Sequence, residues 1–145
     1  MTYTVETHSF EIKTKGRTDL VDITEKVQNI VESNSFSEGG SLVFVGGSTA
    51  GITSIEFEPG LLQDYPNFFE RIIPSNSTYQ HNETWHDGNG YSHVRASLQG
   101  ASFTVPFKNG RLLLGTWQQI ILVDFDNKPR NRKIIVQISG VKNEE

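Results

Sequence analysis

The chain has 145 residues, the length of one domain, so we expect a single domain over residues 1–145 with its own hydrophobic core. It contains no cysteine, which excludes disulfides, thiolate metal sites and a cysteine nucleophile and is typical of a reducing compartment. The 13 Lys and Arg residues against 17 Asp and Glu residues give a formal charge of −4, which argues against nonspecific nucleic-acid binding.

The amino-terminal stretch 2–14 alternates polar and apolar side chains, which predicts a half-buried strand and not a signal peptide. No apolar run in the chain is long enough to span a membrane, so we expect a soluble, cytoplasmic protein without a membrane partner. The clearest helix is predicted over 18–33, where apolar residues recur at helical spacing. Asp22 or Thr24 is expected to cap its start.

The next stretch, 41–45, is a continuous apolar run that predicts a central strand buried on both faces. A further strand is predicted over 52–57, and a second helix over 61–73. In that helix Pro66 is expected in the first turn, with Asp64 as the cap just before it.

The carboxy-terminal half reads mainly as strands, whereas 94–99 is ambiguous between helix and strand. Asn109-Gly110 is a strong hairpin signal. The strands are predicted over 101–107, 111–114, 118–124 and 133–139. Two helices among about seven strands indicate the α+β class.

Two features near the middle of the chain leave alternatives open. The small-residue loop 46–51, which includes Ser48 and Thr49, is either a turn or a lining where a ligand approaches backbone amides; it matches no phosphate-loop motif. Glu56 in the following strand points away from its apolar neighbours, as a solvent-facing side chain or as a site carboxylate.

The stretch 79–93 concentrates side chains that can bind metal or transfer protons: His81, His86, Asp87 and His93. Neutral imidazole and carboxylate suit zinc and other divalent ions. The spacing is no known zinc signature, so exposed histidines are the alternative. Asp87 and Asn89 are also residues that a tight turn favours for its backbone geometry alone.

Two later segments have alternatives of their own. Four basic residues cluster near the last strand, as a solvated hairpin loop or as a phosphate-binding rim; they are Lys128, Arg130, Arg132 and Lys133. Trp117 is either packed in a core or interface or is a stacking platform, and Gln118 offers both a donor and an acceptor.

One pattern in the chain resembles the signature of the YjbQ family. It reads Ser102-x2-Val105-Pro106-x3-Gly110-Arg111-Leu112-x2-Gly115-Thr116-Trp117-Gln118. Tyr79, His81, the Asp87-Gly88-Asn89 turn and His93 are similar to the family's middle block, and the similarity runs from about Leu42 to Gly140. The resemblance implies an α+β fold with a mixed, mostly antiparallel β-sheet sandwich and two main helices. It also implies a homotrimer with a weak thiamine-phosphate synthase activity, which joins a pyrimidine pyrophosphate to a thiazole phosphate.

The resemblance also implies which residues form a site. His81 and His93 are expected as catalytic acid/base groups or as ligands of a divalent metal, Zn or Mg, with Glu56 or Asp87 as the catalytic carboxylate partner. The expected ligand-binding residues are Ser48, Thr49, Asn89, Thr116, Trp117 and Gln118. The family usually has a histidine before Thr-Thr-Ala, where this chain has Gly47, so a third metal ligand is either absent or comes from Glu56 or another subunit. The alternatives are a non-catalytic trimeric module that binds a small phosphorylated or heterocyclic ligand, and a structural trimer.

Overall fold

The computed structural model describes residues 2–143, which form eight strands and four helices. In chain order they are β1 (Tyr3–Thr14), β2 (Asp19–Asp22), α1 (Thr24–Ser33), β3 (Phe36–Val45), β4 (Ala50–Ile55), α2 (Pro59–Ile72), α3 (Gln80–Trp85), α4 (Gly90–Gln99), β5 (Ser102–Lys108), β6 (Arg111–Leu112), β7 (Gln119–Asp124) and β8 (Arg130–Lys142). The predicted α+β class is therefore confirmed, with helices α3 and α4 in a stretch where the sequence indicated loops and an ambiguous segment.

The strands form two antiparallel sheets that pack against each other. One has the order β1-β8-β3-β5-β6 and the other β2-β7-β4. The main hydrophobic core lies between them and is completed by the apolar face of α1, through Val27 and Val31. The predicted sandwich of mostly antiparallel sheets is confirmed.

A second, smaller core lies on the other face of the three-stranded sheet. There Phe69 of α2 and Ala96 of α4 pack on Ile121, Val123 and Phe125. Strand β7 is thus the one that is buried on both faces, since its alternate residues enter both cores. The same prediction for 41–45 is wrong: Leu42 and Phe44 are each 38% exposed, because the outer face of the five-stranded sheet has no layer above it.

The predicted helix 18–33 begins later than expected. Residues Asp19–Asp22 form an edge strand on β7, which places Leu20 against the second core and Val21 against the first. Helix α1 begins at Thr24 and its N-cap residue is Ile23, so the prediction that Asp22 or Thr24 is the cap is wrong. The Asp22 carboxylate accepts from the Thr24 N–H at 3.0 Å, from the position before the cap.

Helix α2 also begins at a different place. Its N-cap is Glu58, whose carboxylate accepts from the N–H groups of Gly60 and Leu61, and Pro59 occupies the first turn. The prediction that Asp64 and Pro66 mark the start is wrong, because Pro66 lies inside the helix.

The carboxy-terminal half follows the sequence more closely. The Asn109-Gly110 hairpin is confirmed: both residues have positive φ, and they join β5 to β6. The ambiguous stretch 94–99 is part of helix α4. Within residues 2–143, none of the helices has both the length and the apolar character that a membrane crossing requires.

Candidate functional site

A cleft of about 390 Å³ opens at one end of the three-stranded sheet. This is the end where β4 begins and β7 finishes, at the Ala50–Asp124 pair. The loop before β4, the residues after β7, the start of β8 and the α3–α4 segment all contribute side chains. The lining residues are Gly47, Ser48, Thr49, His81, Trp85, Asp87, Asn89, His93, Asp126, Arg130 and Arg132.

A buried ion pair lies at the base of this cleft. Arg132 donates from Nε and Nη2 to the two carboxylate oxygens of Asp124, at 2.7 and 2.8 Å. Thr14 Oγ1 donates to the same carboxylate at 2.6 Å. Both charged residues are buried, so each requires the other: a charge left alone there would lose hydration without any compensation.

Asp126 ties the walls of the cleft together. Its carboxylate accepts from Asn89 Nδ2 at 3.2 Å, Arg130 Nε at 2.8 Å and Thr49 Oγ1 at 3.0 Å. Burial acts to raise the pKa of Asp126, but these hydrogen bonds and that from the Asn127 N–H outweigh it and hold the pKa below its ordinary value. Asp126 is therefore a fixed anion around which α4, the β3–β4 loop and β8 are positioned.

The two arginines keep donors free for a ligand. Arg130 uses only Nε within the described residues, and Arg132 has no hydrogen bond from Nη1 there. Nη1 of Arg132 lies 3.0 Å from the point where a Cβ on Gly47 would stand. The absence of a side chain at Gly47 thus leaves the guanidinium edge accessible from the cleft.

Two imidazoles form the opposite wall. The ring centroids of His81, near the start of α3, and His93, in the first turn of α4, lie 4.2 Å apart, and His81 Nδ1 is 3.4 Å from Asp87 Oδ1. Burial lowers the pKa of His93, and the neighbouring His81 lowers it further, while Asp87 and Asp126 oppose this shift. His93 is thereby held as a neutral imidazole near neutral pH, the state that accepts a proton.

Two buried polar atoms in the cleft have no hydrogen-bond partner within residues 2–143: His81 Nδ1 and Asn89 Oδ1. The Asn89 side chain is almost entirely buried, and its amide orientation is fixed because the carboxylate of Asp126 can only accept. Since buried polar groups are nearly always paired in native proteins, Asn89 Oδ1 indicates a ligand, whereas His81 Nδ1 has the Asp87 carboxylate 3.4 Å away.

The cleft unites six of the predicted site residues. His81, Asp87 and His93 meet there with Ser48, Thr49 and Asn89. The exposed His86 is not among the lining residues. Convergence is due to the α3–α4 segment: His86 and Gly88 take positive φ, which turns the chain back so that α3 and α4 pack together.

Four predicted site residues lie elsewhere in the chain: Glu56, Thr116, Trp117 and Gln118. They flank the opposite end of β4 and β7, at the Ile55–Gln119 pair. Five residues of extended strand separate the two ends by roughly 17 Å. Within one chain, the expectation that these four side chains join the histidines is therefore wrong. Gln118 instead bonds Ser54 Oγ and the Gly115 N–H, and Trp117 is 71% exposed.

The sequence interpretation missed Asp124 and Asp126 as site residues. It left Arg132 in either a solvated hairpin loop or a phosphate-binding rim, and the side chain is buried, which does not fit a solvated loop. The sequence nevertheless contained a signal for these buried charges. The apolar run 120–123 is followed by Asp-Phe-Asp, and β8 begins with Arg-x-Arg. Acidic residues that end a fully buried strand need cationic partners, and two arginines at strand spacing provide them on one face.

Two imidazoles in the cleft are candidate ligands for a metal ion. Within residues 2–143 no three His, Cys, Asp or Glu side chains are grouped so as to hold a metal. His81 and His93 are two candidate ligands, whereas catalytic zinc sites use three protein ligands. The unpartnered His81 Nδ1 shows that at least one donor is available.

Comparison with known proteins places the chain. The sequence model described as UPF0047 protein YjbQ-like matches residues 8–141. The chain belongs to the YjbQ/UPF0047 family. A UPF0047 protein of Methanothermobacter thermautotrophicus is 40% identical over 136 residues, which cover 94% of this chain and 93% of the relative. The Bacillus subtilis UPF0047 protein YugU is 34% identical over 134 residues, covering 91% of this chain and 98% of its own length.

Solved structures of this family have the same fold. A YbjQ-like protein of unknown function from Sulfolobus solfataricus superposes with a TM-score of 0.91 at 34% identity, covering 97% of this chain and 100% of its own. A hypothetical protein from Aeropyrum pernix gives a TM-score of 0.87 at 32% identity, with 94% and 99% covered. The YjbQ-like architecture expected from the sequence is thus confirmed.

Proposed function

We propose that the cleft binds a small phosphorylated molecule and acts on it with His81 and His93 as acid/base groups. One observation carries this proposal: two guanidinium groups with free N–H donors border the same cleft as two adjacent imidazoles. Forked guanidinium donors match the geometry of phosphate oxygens, and imidazole is the side chain best suited to proton transfer near neutral pH.

The paired charges of the cleft determine how it would bind an anion. Arg132 is paired with Asp124 and Arg130 with Asp126, so the four charges cancel formally. Affinity for an anion then depends on directional N–H donors and not on net positive charge. An anion seated on Arg130 and on Nη1 of Arg132 would use the donors that the aspartates leave free.

The two histidines have different surroundings, which favours different roles. Burial lowers the pKa of His93, so we assign it the role of general base. His81 lies beside Asp87, whose carboxylate would orient its ring and stabilise a proton on it, so we assign it the role of general acid. Ser48 and Thr49 would contact the ligand from the β3–β4 loop.

The most concrete reaction for this site is the weak thiamine-phosphate synthase activity that the family resemblance implies. That reaction displaces pyrophosphate from a pyrimidine pyrophosphate as a thiazole phosphate joins it. Arg130 and Arg132 would stabilise the charge that develops on the leaving pyrophosphate. The cleft volume of about 390 Å³ is at the small end of ligand pockets, so the second substrate would bind beside the cleft, for example against a neighbouring copy.

As an alternative to acid/base roles, His81 and His93 would be the protein ligands of a divalent metal, Zn or Mg. Because one chain supplies only these two, phosphate oxygens of the ligand or a group from a second copy would have to complete the coordination. We therefore expect metal affinity to be weak in the isolated protein and to rise when pyrophosphate is present.

We also propose that the protein acts in the cytoplasm as a homotrimer, with the site completed by a neighbouring copy. Thr116, Trp117 and Gln118 lie roughly 17 Å from the cleft of their own chain, so only a second copy would bring them to a cleft. Trp117 is held outward by a turn in which Gln118 bonds the Gly115 N–H, and exposed tryptophans are frequent anchors of interfaces.

The direct test of the phosphate site is calorimetric titration of the purified protein with pyrophosphate, with and without Mg²⁺ or Zn²⁺. We expect binding that Arg130→Met weakens at least tenfold and that Lys128→Met, an exposed neighbour, leaves unchanged. Equal affinities in both variants would contradict the assigned anion site. Product formation from the pyrimidine pyrophosphate and the thiazole phosphate, lost in His93→Gln, would establish the enzymatic role.

The second candidate is a non-catalytic module that binds a small phosphorylated or heterocyclic ligand. Trp85, 69% exposed at the rim of the cleft, favours it because an indole offers a stacking surface to a heterocycle. Tight binding without turnover, combined with a ligand-dependent change in Trp85 fluorescence, would support this alternative over the enzyme.

Mixing two variants tests the shared site. Trp117→Ala and His93→Gln each remove one half of the proposed composite site, and a mixed oligomer contains some intact pairs of a cleft with a neighbouring Trp117. We expect ligand binding to be partly restored on mixing after dissociation. A monomer in sedimentation experiments, or no restoration, would overturn the composite site.

A further inference from the structure

We infer that the ligand of the cleft carries, next to its anionic group, a hydrogen-bond donor that Asn89 Oδ1 accepts, and that a positively charged amino group fits best. This inference rests on the proposed phosphate site. It adds the group of the cleft that would recognise the part of the ligand next to the phosphate. It identifies the ligand class as a small amino-bearing phosphate ester.

The first step is the state of Asn89. Its side chain is buried, and its Nδ2 donates to Asp126 Oδ1 at 3.2 Å. Turning the amide over would set its oxygen against the carboxylate, so Oδ1 has to face the other way. That oxygen has no partner within residues 2–143 although Asn89 lines the cleft. A buried acceptor without a donor costs stability, and a ligand donor would remove that cost.

The second step is the negative charge of Asp87 in the same cleft as Asn89. Asp87 lines the same cleft, two residues away in the chain, and its half-exposed carboxylate lies 3.4 Å from His81 Nδ1. The hydrogen-bonded aspartates Asp124 and Asp126 have guanidinium partners, but Asp87 has no arginine or lysine partner within the described residues. A carboxylate whose only charged neighbour in the described residues is a histidine, in the same cleft as a free carbonyl oxygen, favours an ammonium group over a neutral hydroxyl.

The third step is distance. Asn89 and Arg130 hold the same carboxylate, that of Asp126, from its two oxygens. Asn89, which would accept from the amino group, and Arg130, which would bind the phosphate, are therefore separated by the Asp126 carboxylate and its two hydrogen bonds. A ligand that carries its phosphate and its amino group on one short chain would bridge these two sides.

A matched pair of probes tests this. O-Phosphoethanolamine and n-propyl phosphate have nearly the same shape and the same phosphate, and they differ in an ammonium group against a methyl group. We expect O-phosphoethanolamine to bind the full chain roughly ten- to a hundredfold more tightly in calorimetric titrations at pH 7.5. We expect Asn89→Ala to bring the two affinities close to each other, and the readout is the ratio of the two affinities, not either affinity alone.

The outcomes separate the two ideas. Equal affinity of the wild-type protein for both probes would overturn the inference and leave the phosphate site standing. Failure of both probes and of pyrophosphate to bind would overturn both. Because Asn89 is buried, Asn89→Ala is checked for its circular dichroism spectrum, and Asp87→Asn serves as a second variant on an exposed residue. Discrimination between the probes that persists undiminished in both variants would also contradict the assignment.

Discussion

The two ends of the three-stranded sheet carry the residues that resemble the family signature, yet they differ in chemistry. At the cleft end, buried ion pairs hold Asp124 and Asp126, and two buried polar atoms remain unpartnered. At the far end, the Gly115–Gln118 turn satisfies its own polar groups and leaves Trp117 in solvent. Unsatisfied buried atoms mark a ligand site, whereas a self-satisfied turn with an exposed aromatic marks a contact surface.

This difference helps to assign roles to the residues at each end of the sheet. At the cleft end, the same residues stabilise the fold and set the charges of the site, because Asp124 and Asp126 both fix the walls and orient the arginines. Residues at the far end contribute little to the fold of their own chain. Substitutions should therefore be costly at one end and nearly neutral for folding at the other.

The largest effect is expected for Arg132→Met. It leaves the carboxylate of Asp124 buried with only the Thr14 hydroxyl and the backbone N–H of Asp126 as partners, so we expect the free energy of unfolding to fall by about 3–5 kcal/mol. Urea denaturation measures this, with the exposed neighbour Lys133→Met as the control that changes stability by less than about 0.5 kcal/mol. A loss below about 1 kcal/mol would show that the pair at the base of the cleft is not a structural requirement.

The next effect concerns pH. Hydrogen bonds lower the folded-state pKa of Asp126, so its contribution to stability is present above its unfolded pKa and is lost as the pH falls through the folded value. We expect Asp126→Asn to lie below the wild type in stability at pH 6 and the two to approach each other as the pH falls below about 4. The effect should be smaller than that of Arg132→Met, since the Arg130 side chain is 39% exposed.

Denaturation at a series of pH values from 7 to 2 measures this convergence. Asp19→Asn is a suitable control, because its carboxylate accepts a single exposed hydrogen bond, from the Lys15 N–H. Parallel curves for the wild type and Asp126→Asn would mean that the carboxylate of Asp126 is not held in its charged state by the cleft.

A smaller effect is expected for Gly47→Ala. Gly47 has a φ of +107° and a Cβ there would stand 3.0 Å from Arg132 Nη1, so a side chain brings both backbone strain and a close contact. We expect a loss of about 1–3 kcal/mol in the free energy of unfolding. Gly46→Ala is the matched control, since a Cβ on Gly46 meets nothing within 4 Å. An unchanged melting temperature for Gly47→Ala would show that the loop accommodates a Cβ at this position.

The sequence predicts most strands and half of the site for reasons that are local, whereas the sandwich was implied by the resemblance to the YjbQ family. Alternation and apolar runs identify most strands, and Asn109-Gly110 has the residues that two successive positive φ values require. The histidines were recognisable because their residue types are rare and lie close together in the chain. The strand Asp19–Asp22 was read as helix because its apolar residues are also spaced for a helix, and pairing with the distant β7 decided between the two.

The remainder of the site was not accessible from local pattern. Asp126, Arg130 and Arg132 look like a solvated hairpin in sequence, and only the pairing of β8 with β1 and β3 turns the Arg132 side chain inward. Conversely, Glu56 and Gln118 flank strands that do reach the cleft, but at their other ends. Which end of a strand faces a site is set by sheet register, which no short motif encodes.

The smallest effect on folding is expected for Trp117→Ala. The side chain is 71% exposed and its turn is held by Gln118, so we expect the monomer to lose no more than about 0.5 kcal/mol in its free energy of unfolding.

Melting at a series of protein concentrations tests whether Trp117 contacts a neighbouring copy. If Trp117 contacts a neighbouring copy, the wild type melts at a higher temperature as its concentration rises, because association stabilises the folded state, and the variant does not. Leu98→Ala, a 61% exposed residue on α4, is the control. A concentration-independent loss above about 1 kcal/mol in Trp117→Ala would mean that the indole packs within its own chain, and the contrast between the two ends would no longer hold.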